Sequence, residues 1–138
     1  MGKSQRTLSN PSGVHTPVGR YSHLARVKAN EFLFLAGQVS VNESGEIVGK
    51  DDIGIQTQQA YKNVGRILES EGATFSNVVQ VNTYLVGRDA IQPYLTARAV
   101  IFDEIYPTNE QPPNTLLIVN GLFEEEMLIE VAVVAALP

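Results

Sequence analysis

Leu128-Ile-Glu-Val-Ala-Val-Val-Ala-Ala-Leu137 carries a single charge, Glu130, in ten residues that are otherwise apolar at consecutive positions. A strand with one wet face alternates apolar and polar residues; a run without alternation asks for cover on both faces. Thr115-Leu-Leu-Ile-Val119 reads the same way. Working outward from these two strands, the chain offers two helical stretches, enough to shield one face of a small sheet and no more. The opposite face then needs apolar partners elsewhere, most economically on identical subunits. A homo-oligomer is therefore expected from the pattern. Helices straddling the sheet are the alternative, and the right-handed crossover rule disfavours it for this order of elements.

The helices are marked by their ends. Asp51 and Asp52 offer N-caps for a helix in which Ile53, Ala60, Val64, Ile67, Leu68 and Glu71 trace a mostly apolar stripe, closed at Gly72. A second helix is predicted over 90–105, with Pro93 early and Pro107 as its stop. Val78 to Val86 reads as a strand, and the last two strands are expected over 115–120 and 127–136, parted by Gly121 and Glu124-Glu125-Glu126. Before the first helix, 22–29 and 31–39 flank Ala29-Asn30 as a hairpin would, and Asn42 to Gly45 turns the chain again. Residues 1–19, rich in Ser, Gly and Pro, read as a loose arm, and 20–138 as a single domain of order ββ-α-β-α-ββ.

Composition removes several functions. The 138 residues are 43% hydrophobic and 18% charged, the balance of a folded domain. A net charge of −5 opposes the basic footprint that phosphate backbones select, so no nucleic-acid partner is expected. There is no cysteine, and His15 and His23 are too few for a usual zinc constellation, so no metal and no cofactor are expected. Glu124 to Glu126 point different ways in a turn and read as solvated. No stretch reads as a signal peptide or a membrane span, and the expected location is cytoplasmic.

Several separated segments resemble one family. Tyr21-Ser22-His23, Ala36-Gly37-Gln38, Gln56-Thr57-Gln58-Gln59-Ala60 with Asn63, Gly72-Ala73, Val78 to Leu85 and Ile129-Glu130-Val131-Ala132 are similar, in order and spacing, to segments of the RidA (YjgF/UK114) proteins. The resemblance runs from about Arg20 to Ala136. It implies a chorismate-mutase-like α+β fold, a mixed sheet with two helices on one face. It also implies a homotrimer holding small molecules in clefts between subunits. In deaminase members an arginine opening the penultimate strand grips the substrate carboxylate, and a glutamate on the last strand positions the water that attacks an enamine or imine. Glu130 matches that glutamate, and Tyr21, Gly37 and Gln38 match residues lining the cleft.

One match fails. Pro113-Asn114-Thr115 stands where the family has Ala-Arg-Ser, so Asn114 takes the place of the guanidinium. A neutral amide cannot supply the charge-assisted fork an arginine gives a carboxylate, a loss of about 1–3 kcal/mol. Arg20, Arg88 and Arg98 are the cations that would have to replace it, although exposed arginine is the default at such positions.

Each candidate also has a plain reading. Glu130 fits an ordinary salt bridge or a strand face open to water, Tyr21 a half-buried core residue, Gln38 and Gly37 a turn, Gly121 a turn, and Asn114 a strand end facing solvent. Two functions follow. One is a hydrolase acting through Glu130 on an enamine, imine or related metabolite without the usual carboxylate, since a partly desolvated carboxylate is a better base toward water. The other is a non-catalytic member binding a metabolite or a protein in the same cleft.

Overall fold

The computed structural model describes residues 5–138; the expectation for the first four residues of the arm lies outside them. Among the described residues the chain forms seven strands and two long helices. These are β1 (Gln5–Ser9), β2 (Leu24–Lys28), β3 (Glu31–Phe34), β4 (Gln38–Val39), α1 (Ile53–Ser70), β5 (Val78–Val86), α2 (Ile91–Ile105), β6 (Asn114–Val119) and β7 (Ile129–Leu137). A five-stranded sheet runs β3-β7-β5-β6, with β4 also on β7. β5 and β6 are parallel, joined through α2, whereas β7 is antiparallel to β3, β4 and β5.

The helices form where the caps and stripe place them. The Asp52 carboxylate accepts from the Ile55 N–H at 3.0 Å, satisfying one of the first free donors of α1. α1 buries Ile53, Ala60, Tyr61, Val64 and Leu68, and Ile67 lies at the edge of the stripe, 36% exposed. Pro93 falls in the first turn of α2, where its missing N–H costs no helical bond. Gln56 is fully buried inside α1: its amide N–H donates to Gly49 O (3.0 Å) and Glu126 O (2.9 Å), and its Oε1 accepts from Leu128 N–H (2.9 Å). This one side chain ties the loop before α1 to the start of β7.

Register sorts the sheet residues into two faces, because directly paired residues point the same way. Val81, Thr83 and Leu85 of β5 pair with Val133, Val131 and Ile129 of β7 and are buried under the helices. The alternate residues, Asn82, Tyr84, Glu130, Ala132 and Val134, share the other face with Phe32, Phe34 and Leu117. Phe34 is 78% exposed there. Two helices thus cover one face of a mixed sheet, as expected from the sequence.

The arm and the hairpin need correction. Gln5–Ser9, expected to be loose, pairs antiparallel with β2 in a separate two-stranded sheet. Arg6 fixes it by donating to the Val78 carbonyl and, at 2.7 Å, to Glu110 O. β2 therefore takes β1 as partner and β3 takes β7, so the close spacing around Ala29-Asn30 produces a crossing between two sheets where a hairpin was expected. The 31–39 strand is also broken: pairing passes from Phe34↔Val134 to Gln38↔Val131, which places one extra residue on the β3–β4 side. That is the arithmetic of a β-bulge.

Candidate functional site

The bulge bears directly on Glu130. At Gly37 a Cβ would lie 1.9 Å from Glu130 Oε2 and 2.6 Å from its carboxyl carbon, so only a glycine lets the backbone lie over the carboxylate. Ala36 and Gly37 fall outside the strand ladder, and their N–H groups donate to no acceptor among the described residues. Glu130 pairs with Tyr84 of β5 on one side and with Val39 of β4 on the other. Glu130 is half-buried, and no ion pair neutralises it among the described residues. The ordinary salt bridge is thereby removed as an explanation. What remains is a half-buried carboxylate under the Gly37 backbone, flanked across the ladder by Val39 and Tyr84. Such a carboxylate can accept a proton from a water.

Gln38 does not join this group. Alternation turns its side chain to the helix side, where its amide donates to Ala36 O at 3.1 Å and where it borders a groove of about 550 Å³ with Asn42, Gln59, Lys62, Asn63 and Arg66. Gly37 and Glu130 stand together on the open face.

Tyr21 and Asn114 lie in a different place again. Asn114 pairs with Val81, and its Oδ1 accepts from the Thr83 hydroxyl at 3.0 Å, which sets it on the helix-covered face. Two strands and three positions separate it from Glu130, about 14 Å by standard strand geometry. Its Nδ2 is buried with no partner, so the reading of Asn114 as a strand end facing water is overturned. Tyr21 stands beside Gly19, its hydroxyl accepting from Val18 N–H at 3.4 Å and its ring edge-on to His23. Ser22 next to it bonds the carbonyls of Gln111 and Pro112, which brings this segment alongside the start of β6. Within one chain the five matched residues therefore fall into groups: Gly37 with Glu130, Asn114 and Tyr21 toward α2, and Gln38 behind α1.

The arginines divide as well. Arg88 is exposed, and Arg20 pairs with Asp103 at 2.6 Å. Arg98, expected to be solvated, is only 8% exposed and lies against the rings of Tyr94 and Phe102. Its burial was not legible from sequence, because α2 has apolar residues on several sides and no clean stripe to say which side faces in. Glu124, Glu125 and Glu126 are exposed, as a solvated turn would be, and Gly121 is open to solvent on all sides. Among the described residues no helix is long and apolar enough to cross a membrane.

Known proteins with the same pattern match nearly the whole chain. The family model described as "Endoribonuclease L-PSP" matches residues 13–137. A RutC family protein of Pyrococcus horikoshii is 34% identical over 120 residues, covering 86% of this chain and 88% of that protein. The crystal structure of YyfB, a Rid family protein of Yersinia pestis, superposes with a TM-score of 0.86 at 31% identity, covering 96% of this chain and 98% of the other. The Escherichia coli YjgF gene product shares the fold at a TM-score of 0.68 and 19% identity, with 94% and 92% covered. Matched by the family model over residues 13–137 and by these relatives over nearly its whole length, the chain belongs to the endoribonuclease L-PSP family, that of the RidA/YjgF proteins.

Proposed function

We propose that the open sheet faces of three copies pack together and that Glu130, at a cleft between them, hydrolyses a small enamine or imine that carries no carboxylate. The observation that carries this reading is Glu130 itself, half-buried and without an ion-pair partner beneath Gly37 on the face of the sheet that the helices leave open. In the reaction Glu130 takes a proton from water as the water oxygen bonds to the imine carbon, and passes it to the nitrogen to give a carbinolamine. Glu130 then takes the proton of the new hydroxyl and delivers it to the amino nitrogen as the C–N bond breaks, so that ammonia leaves a carbonyl product and the carboxylate is regenerated. The separation of Asn114 and Tyr21 from Glu130 within one chain is consistent with a cleft that two subunits complete.

Asn114 sets the substrate class. With no guanidinium opening β6, a carboxylate-bearing imine is held loosely, and alignment of its carbon with the water is lost. An arginine at 114 would enter the helix-covered side already occupied by Arg98, so Asn114→Arg is not expected to restore full rate. The test is carbonyl release from enzymatically generated imines with and without a carboxylate, for wild type and Glu130→Gln. Turnover of the carboxylate-free compound, lost in the variant with folding intact, is the expected result. Equal rates on 2-iminobutyrate and on its carboxylate-free counterpart would overturn the role given to Asn114. Binding without turnover by both proteins would favour the non-catalytic function.

A further inference from the structure

The groove that Gln38 borders is built from two pieces locked together by one side chain. Asn63 of α1 donates through its amide to Val39 O (3.1 Å) and Val41 O (2.9 Å), and its Oδ1 accepts from the Gln59 amide at 2.8 Å. The turn beyond β4 is fixed in its own right. Asn42 Oδ1 accepts from the N–H groups of Ser44 and Glu46, each at 3.0 Å, and Val41 bridges to Ile47. The wall facing α1 is therefore set before anything enters, and the volume of about 550 Å³ is that of a small-molecule site.

Two cations line this groove with no anion to meet them. Lys62 and Arg66 stand one turn apart on α1, with Cβ atoms about 5–6 Å apart, the spacing at which like charges on a helix repel. Among the described residues neither forms an ion pair. Glu43, on the turn, is the one carboxylate lining the groove, and it lies beyond salt-bridge distance of both. In a chain of net charge −5 such a pair is a local exception.

The neutral groups beside the cations have spent their donors. Gln59 gives its amide N–H to Asn63, and Gln38 gives its own to Ala36 O at 3.1 Å. Both amide orientations follow from backbone carbonyls, directly for Gln38 and through Asn63 for Gln59, so each side chain is left with an oxygen that accepts. A ligand that satisfies this groove brings negative charge to one part of it and O–H donors to another.

We propose that the groove binds a small hydroxylated phosphate monoester, its dianion between Lys62 and Arg66 and its hydroxyls on the amide oxygens of Gln38 and Gln59. A phosphate monoester carries close to two negative charges at neutral pH and presents three oxygens, which two separate cationic side chains can share. The groove lies on the helix side of β4, away from Glu130, and does not depend on the reading of that residue.

The experiment titrates the protein with glycerol 3-phosphate and with inorganic phosphate, following the backbone amide resonances of Ser44, Gln59 and Asn63. Saturable shifts are expected with both, with a dissociation constant about threefold lower for the hydroxylated ion. Replacing Lys62→Gln and Arg66→Gln together should weaken glycerol 3-phosphate about tenfold. Arg26→Gln with Lys28→Gln removes the same charge from β2 and should leave the constant unchanged. All four side chains are exposed, so the variants keep the fold. No saturation, or equal weakening in the two double variants, overturns the site, and equal constants for the two ions overturn the hydroxylated ligand. A single-stranded oligonucleotide that binds more tightly with the same dependence on Lys62 and Arg66 overturns the small-molecule assignment. Glu130→Gln should bind glycerol 3-phosphate as wild type does, so failure of the catalytic reading leaves this one standing.

Discussion

On the face of the sheet under the helices, Thr83, Leu85, Ile129 and Val131 are fully buried, and the charge among them is the cation of Arg98. On the opposite face Phe34 and Leu117 stand 78% and 50% exposed around the anion of Glu130. Both charges lack an ionic partner, yet for different reasons. Arg98 is enclosed by its own chain, against the rings of Tyr94 and Phe102, whereas Glu130 is enclosed only once something covers the face it stands on. One face of the sheet is therefore complete in a single chain and the other needs a neighbour. Aromatic surface left in water is the mark of the second kind.

The sharpest way to break this contrast is to spoil the open face. Phe34→Asp should lower the affinity between copies at least tenfold, since each buried phenyl ring contributes about 1.5–3 kcal/mol and 1.4 kcal/mol is a factor of ten. Sedimentation equilibrium at micromolar concentration should show a trimer for wild type and smaller species for the variant. A wild-type monomer would end the idea of a shared cleft, and a stable dimer would keep the covered face but discard the three-fold arrangement.

A subtler change tests how Glu130 is held. Gly37→Ala puts a methyl group where Glu130 Oε2 now lies, 1.9 Å from the ideal Cβ. Because the carboxylate is the far end of a flexible side chain, it swings aside at a stability cost of about 1 kcal/mol or less. Turnover should fall at least tenfold while the urea midpoint barely moves. Full activity in this variant would show that the carboxylate does not act from beneath Gly37.

The smallest effect belongs to the helix-covered face. Burial pushes the pKa values of Tyr61 and Tyr106 above the ordinary tyrosine value of 10, with the nearby Arg6 opposing the shift at Tyr106. A group whose folded pKa is raised gives stability that is complete below the unfolded value and declines above it. The unfolding free energy should therefore hold to about pH 10 and then fall by about 1.4 kcal/mol per pH unit for each tyrosine. Tyr106→Phe should make the decline shallower, as read from urea midpoints between pH 8 and 11. An unchanged slope would mean that the ring is not excluded from solvent.

How much of this was legible in the sequence depended on whether one segment decided it. The unalternating run at 128–137 spoke for the central strand, and Asp52 for the start of α1, because each needs only its own residues. The β1–β2 sheet was not legible: Gln5 to Ser9 has a strand partner only because Arg6 reaches Val78 and Glu110, far along the chain. Glu130 and Gly37 were found through the resemblance, and their contact follows from a bulge that no local spacing announces. Gln38 shows the reverse. The resemblance put it with Gly37 in the cleft lining, and within one chain strand alternation turns its side chain to the other face of the sheet. Arg98 escaped because burial of a cation is decided by three elements together, the arm, α2 and the sheet.

β7 follows all the other strands in chain order and yet lies between β3 and β5, pairing with β3, β4 and β5. Until Ile129 to Leu137 has been synthesised, the strand edges of β3 and β5 have nothing between them, and the sheet cannot close around a partial chain. Closure brings together residues as far apart as Glu31 and Leu137, a loop that must be searched before any pairing rewards it. Closure of the sheet thus waits for the last of the described strands, with the apolar edges of β3 and β5 exposed until it pairs, the interval in which the chain is most open to aggregation.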